Sequence, residues 1–128
     1  MLPISVCMIV KNEEKNIENC FQRLSRHPFE IVVVDTGSTD KTKELVKKYA
    51  DKLLDFLWCD DFSKARNFSI SQASNDWVLI IDCDEFVEEL DFTAIQKLMA
   101  EYPYAIGQLY RDNICYDKDH KPIHSYDY

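Results

Sequence analysis

Glycine is nearly missing from this chain, with two residues in 128. A glycine-rich phosphate loop after the first strand, which a nucleotidyltransferase would favour, is therefore ruled out. Positive charge is also scarce. Lysine and arginine number 15 against 23 aspartates and glutamates, a formal net charge of -8. A phosphate backbone needs a basic footprint, so nucleic acid is not an expected partner. The five cysteines, Cys7, Cys20, Cys59, Cys83 and Cys115, are odd in number and widely spaced, with no Cys-x-x-Cys. That excludes a disulfide framework and a zinc site, and reduced thiols in a cytoplasmic protein are expected. Met1-Leu2-Pro3 lacks the basic start and apolar core of a signal peptide. No apolar run nears the length of a membrane span, so a transmembrane segment is not expected, though peripheral membrane association is left open. His27, His120 and His124 share no helical spacing, and surface positions are expected for them.

What is present is an ordinary globular balance, 46% hydrophobic and 30% charged, in a chain long enough for a real core. Ile4 to Val10 reads as a buried strand. Asn12 is a candidate N-cap for a helix whose Ile17, Cys20, Phe21 and Leu24 fall on one face. Ile31-Val32-Val33-Val34 is a second buried strand, and together these predict a right-handed parallel βαβ unit. Gly37 follows at the point where a tight turn with positive φ is needed. Ser38, Thr39 or Asp40 is expected to cap a helix burying Leu45, Val46 and Tyr49.

A shorter strand is expected around Leu54 to Trp58, then a helix over Lys64 to Ala73. The small residues Ala65, Ser69 and Ala73 would let that helix approach the sheet closely. Trp77 to Ile81 reads as a fourth buried strand. Asp91 is a possible cap for a helix carrying Phe92, Ile95, Leu98, Met99 and Tyr102. Tyr104 to Tyr116 predicts one or two strands. Asp117 to Tyr128 lacks periodicity and is expected to be a hairpin tip or a segment cut short. Trp58, Phe62, Trp77 and the tyrosine series are expected in core or interface packing. The alternation of strand and helix predicts one α/β layer system.

Three constellations carry chemistry. Asp82-Cys83-Asp84-Glu85 ends the fourth strand, where open α/β sheets bind ligands. Oxygen ligands of this kind suit magnesium or manganese together with phosphate oxygens. The plainer reading is a solvated turn in which Glu85 and Asp82 cap the next segment. Asp35 also closes a strand and could accept from a nucleobase or ribose, or simply cap its own turn. Lys64 and Arg66 fall in what is expected to be a first helical turn, where a cation opposes the macrodipole. The partner would be a diphosphate, or Asp60 or Asp61.

Four stretches in order resemble the family 2 inverting glycosyltransferases of GT-A fold. They are Ile4 to Glu14, Val32 to Asp40, Asp61 to Asn67 and Asp82 to Glu85. Within that family the likeness is greatest to the bacterial branch of lipopolysaccharide core β-glucosyltransferases and peptide S-glycosyltransferases. The resemblance implies a Rossmann-like, mostly parallel sheet flanked by helices, and a nucleotide-diphosphate-sugar donor, usually a uridine one. It implies that Val10 and Asn12 to Glu14 line the nucleotide pocket, that Asp35 contacts uracil or ribose, and that Lys64 and Arg66 lie near base and phosphates. Asp82 would lie near ribose and metal, and Asp84 on a divalent Mn2+ or Mg2+. Cys83 stands where the family more often has alanine or glycine.

The acceptor implied is a glycan, a lipid-linked group or a peptide. The family's catalytic base lies well downstream, and none of Asp112, Asp117, Asp119 or Asp127 has a motif context for that role. Residues 1–128 are thus expected to be the nucleotide-sugar-binding part of a larger domain. The alternative is a non-catalytic nucleotide-binding or interaction module. A haloacid-dehalogenase-like phosphatase is excluded, because its nucleophilic aspartate would follow the first strand, which here ends in Val10-Lys11-Asn12.

Overall fold

The computed structural model describes residues 3–87, 90–107, 111–116 and 122–127. The chain forms two compact units, Met1–Leu90 and Asp91–Tyr128.

The first unit is built on β1 (Ile4–Val10), β2 (Glu30–Asp35), β3 (Lys52–Asp55) and β4 (Trp77–Ile80), in the sheet order β3-β2-β1-β4. Every pairing is parallel. The chain first steps outward from β1 to β2 and β3, then returns to place β4 on the other side of β1. That reversal makes the carboxyl ends of β1 and β4 a topological switch point, where such sheets open a crevice. The register sets Val10 beside Asp35 and Asp35 beside Asp55.

β1 and β2 are the central strands, and their near-continuous apolar sequences are buried as expected of strands covered on both faces. Helix α1 (Glu14–Leu24) buries Ile17, Cys20, Phe21 and Leu24, the face read from the spacing. Tyr49 stacks on Phe21 with ring centroids 5.6 Å apart. Helix α2 (Thr42–Val46) is only five residues long and buries Thr42 and Val46, leaving Leu45 and Tyr49 half-buried. Helix α3 (Phe62–Ser71) buries Ala65 and Ser69, and the Cys7 thiol reaches the Ser69 carbonyl at 3.5 Å. Small residues therefore do seat this helix closely on β1. Burial pushes the Cys7 thiol up to about 11, which keeps it inert.

The expectations for β3, β4 and α3 need correction. β3 stops at Asp55 rather than running to Trp58. It has no partner on β2 beyond Asp35, and Leu57 is 91% exposed. β4 is not fully buried: it is the edge strand opposite β3, with Ile80 exposed, while Ile81 and Cys83 just beyond it are buried. α3 begins at Phe62, two residues early, because the Asp61 carboxylate accepts the Lys64 N–H at 3.2 Å. Its last residue is Ser71, so Ala73 lies past its end.

At the amino edge of the sheet a polar network joins the strands. The Glu30 carboxylate accepts from Ser5 Oγ at 2.8 Å and from the Ser74 N–H at 2.7 Å. Asn75 donates to Ser5 Oγ, and Lys52 lies 3.8 Å from Glu30 while donating to the Gln72 carbonyl.

In the second unit α4 (Phe92–Glu101) is capped by Asp91, which accepts the Ala94 N–H at 3.0 Å. β5 (Arg111–Tyr116) and β6 (Pro122–Asp127) pair antiparallel, with Arg111 opposite Asp127 and Tyr116 opposite Pro122. β6 arises in a stretch without readable periodicity. Residues 104–107, expected to begin a strand, are not in one. Asp117, Asp119 and His120 lie outside the described residues. No helix among the described residues is long and apolar enough to cross a membrane.

Candidate functional site

The carboxyl edge of the first unit opens into a pocket of about 360 Å³, lined by Ile9, Val10, Lys11, Glu13, Thr36, Trp58 and Phe62. Its floor is the end of β1 and the first residue after β2. Its aromatic wall comes from the β3–α3 connection. Trp58 and Phe62 meet edge to face with centroids 6.2 Å apart. The Trp58 indole N–H donates to Asp60 at 3.0 Å, and Asp60 itself adopts a positive φ of 57°. This wall is held in place yet remains open, with Phe62 53% exposed.

Asp35 is buried beside this pocket at the end of β2. Its Oδ1 accepts the N–H groups of Gly37 and Ser38 at 2.9 and 2.8 Å. Gly37 takes the positive φ of 119° that the sequence anticipates there. Asp35 Oδ2 is buried without a hydrogen-bond partner among the described residues. The turn-acceptor reading is met by Oδ1, and Oδ2 makes no hydrogen bond among the described residues. An unmet buried acceptor costs about 1–3 kcal/mol, more when charged, unless a ligand donates to it.

Arg66 lies in the second turn of α3, not the first, because the helix starts early. Its guanidinium sits over the Phe62 ring at 5.2 Å, and Nη2 is 3.8 Å from Asp82 Oδ1. Nη1 is buried without a partner among the described residues. Neither Asp60 nor Asp61 pairs with it, since the first holds Trp58 and the second caps α3. Lys64 is exposed, and its backbone N–H belongs to that cap.

Asp82-Cys83-Asp84-Glu85 is a turn closed at both ends. The Asp82 N–H donates to Glu85 Oε1 at 2.8 Å, and the Glu85 N–H donates to the Asp82 carbonyl at 3.0 Å. The Cys83 thiol is buried, and the Cys20 thiol of α1 reaches the Glu85 carbonyl at 3.5 Å. Cys20 therefore ties the turn to α1 and Cys83 is buried beneath it, while Asp82 and Asp84 are exposed. Burial raises the Asp82 carboxyl above its ordinary value. Glu85, Asp84 and Glu13 push the same way, and Arg66 opposes them only in part. Among the described residues no three His, Cys, Asp or Glu are grouped to hold a metal ion. Two exposed carboxylates in a repelling acidic cluster still fit a hard divalent ion that completes its shell with water and phosphate oxygens.

Of the residues expected to line a nucleotide pocket, Val10 and Glu13 line this crevice. Asn12 and Glu14 are committed elsewhere. The N–H groups of Asn12, Glu13 and Glu14 donate to Ser38 Oγ, Thr42 Oγ1 and Asp40 Oδ2 at 2.9, 2.8 and 3.4 Å. In return the N–H groups of Thr39 and Lys41 donate to Asn12 Oδ1 and Glu14 Oε2 at 2.8 and 3.1 Å. Asn12 is not the N-cap of α1. It has a φ of 52°, the cap position is Glu13, and no side chain caps there. This clasp satisfies amides that would otherwise make the start of α1 an anion site.

Trp58, Phe62 and Thr36 line the pocket although the sequence pointed to none of them. An apolar pair at i and i+4 flanking Cys59-Asp60-Asp61 was the available signal.

The family model for Glycosyl transferase family 2 matches residues 5–128. The SPbeta prophage-derived glycosyltransferase SunS of Bacillus subtilis is 32% identical over 126 residues, covering 86% of this chain and 30% of its own length. The lipopolysaccharide core biosynthesis glycosyltransferase LpsC of Rhizobium meliloti is 32% identical over 111 residues, covering 83% and 40%. The crystal structure of S. aureus TarS 1-349 in complex with UDP superposes with a TM-score of 0.69 at 27% identity, over 80% of this chain and 33% of that one. The chain spans about a fifth to two fifths of the length of the curated relatives it matches.

Proposed function

This chain belongs to glycosyl transferase family 2, and from that membership we propose that its strand-end crevice binds a uridine diphosphate sugar for transfer to an acceptor. The observation that carries the reading is the buried Asp35 Oδ2, which lacks a donor beside an aromatic-walled pocket. A uracil ring offers an N–H to such an oxygen and a flat face to Trp58 and Phe62. Arg66 Nη1 is the matching unmet donor, suited to a diphosphate oxygen. Asp82 and Asp84 would hold a divalent magnesium or manganese ion, Asp82 also lying near the ribose, and Lys64 would add positive charge at the rim. Val10 contributes to the pocket floor. Bound there, such an ion supplies charge neutralisation for a departing diphosphate.

The reaction in this reading is a direct displacement at the anomeric carbon with inversion, a base taking the acceptor's proton. We assign donor binding to the crevice of the first unit and assign acceptor activation to none of the described residues. The acceptor class is a glycan, lipid-linked group or peptide.

Calorimetric titration of the intact protein with UDP and manganese tests the reading. Binding is expected, with Asp35→Asn weakening it by about tenfold or more through loss of a charged acceptor. No binding at millimolar UDP with metal present would rule the reading out.

A further inference from the structure

We propose that Asn12 is a positioning residue for the donor nucleotide, acting through the 36–40 loop to aim the Asp35 carboxylate; the proposal rests on the crevice being the UDP site. The path is short and continuous. The Asn12 N–H donates to Ser38 Oγ at 2.9 Å. Its Oδ1 accepts from the Thr39 N–H at 2.8 Å and from Thr39 Oγ1 at 3.4 Å. Ser38 and its neighbour Gly37 are the residues whose N–H groups hold Asp35 Oδ1. Asn12 therefore fixes the segment that fixes one carboxylate oxygen, and the other oxygen, buried without a partner among the described residues, is the acceptor assigned to the nucleotide under the proposed function.

The conformation of Asn12 agrees with this role. Its φ of 52° is the left-handed region, which asparagine and aspartate tolerate and alanine resists. Position 12 thus needs a residue that accepts positive φ and also carries a short side-chain acceptor. Glycine meets only the first need, aspartate meets both, and alanine meets neither. The side-chain oxygen is engaged by the Thr39 N–H and hydroxyl, so its effect on the ligand runs through the 36–40 loop to Asp35.

UDP titrations of the intact protein, with melting temperatures measured in parallel, test this as a series at position 12 crossed with Asp35→Asn. Asn12→Ala and Asn12→Gly are each expected to lose about tenfold in UDP affinity, while Asn12→Asp stays within about twofold of wild type. In the Asp35→Asn background, Asn12→Gly should cost less than about twofold more, because the oxygen it aims is already altered. Inorganic pyrophosphate, which lacks the base, should bind every position-12 variant as it binds wild type. If Asn12→Ala does not fold, Asn12→Gly carries the same comparison, since glycine accepts the positive φ.

Wild-type affinity in Asn12→Gly, or losses that multiply in the double variant, would overturn the proposal. Equal losses for UDP and pyrophosphate would do so too, as would failure of Asn12→Asp to restore binding. A wild-type protein that does not bind UDP would overturn the crevice reading itself and this proposal with it.

Discussion

At the residue scale, the side chains with an unmet hydrogen-bonding atom are the informative ones. Asp35 Oδ2 and Arg66 Nη1 are both buried without partners among the described residues, and both sit at the carboxyl edge of one sheet. Folding leaves such atoms unmet at a real cost, and the proposed UDP reading supplies a donor to the first and an anion to the second. Asp84 is different: it is exposed in the closed turn, so removing it should leave the fold intact. Asp84→Ala is expected to keep the melting temperature of the ligand-free protein within about a degree, as surface changes do, and to abolish the manganese dependence of UDP affinity. Trp58 is held by Asp60 yet remains partly open. Trp58→Ala should weaken UDP binding by about 1–2 kcal/mol through lost stacking on the base, measured in the same titration.

At the element scale, the close seat of α3 on β1 positions the site. Ala65 and Ser69 are fully buried, and the Cys7 thiol touches the backbone of Ser69. Phe62 and Arg66 project from the same helix. A larger residue at the seat should lift all of them together. Ala65→Leu is expected to destabilise by about 1–3 kcal/mol from overpacking. It should also lower UDP affinity, although residue 65 is no part of the pocket lining. Denaturant melts paired with titration check both outcomes, and lost stability with unchanged affinity would show that the helix does not set the site. Helix α1 plays the complementary part on its own face. It buries Phe21 and anchors the acidic turn through Cys20, which joins core packing to the placement of Asp82 and Asp84.

At the scale of the whole molecule, the first unit has a polar network at one edge of its sheet and the crevice at the other. Burial alone would push the Glu30 carboxyl up. Hydrogen bonds from Ser74 and Ser5, with the Lys52 charge, outweigh it and hold Glu30 below its ordinary value. A depressed folded-state value means the charged form favours the fold. That stability is fully present above the unfolded-state value and is lost as pH falls through the lower, folded one. Glu30→Gln should therefore lower the melting temperature at neutral pH, and the gap to wild type should close as the pH falls below the ordinary carboxylate range. A gap independent of pH would mean that the carboxylate charge plays no part. The crevice should respond little to this change, because the network lies at the opposite ends of the strands.

What the sequence determined by itself was local and repetitive. The continuous apolar runs of β1 and β2, the four-residue stripe of α1, the cap at Asp91 and the strand-end place of Asp82 and Asp84 all follow from patterns a few residues long. What only the tertiary structure decided depends on register and distance along the chain. The clasp joins residues 26 to 29 positions apart, so no local period announces it. β4 became an edge strand through strand order, not through composition. Trp58 and Phe62 left the expected core because β3 stopped where β2 ended, which turned its aromatic continuation toward solvent. Hydrophobic patterning records which residues avoid water. Which oxygen of Asp35 keeps no partner is settled only when two loops, far apart in sequence, close on each other.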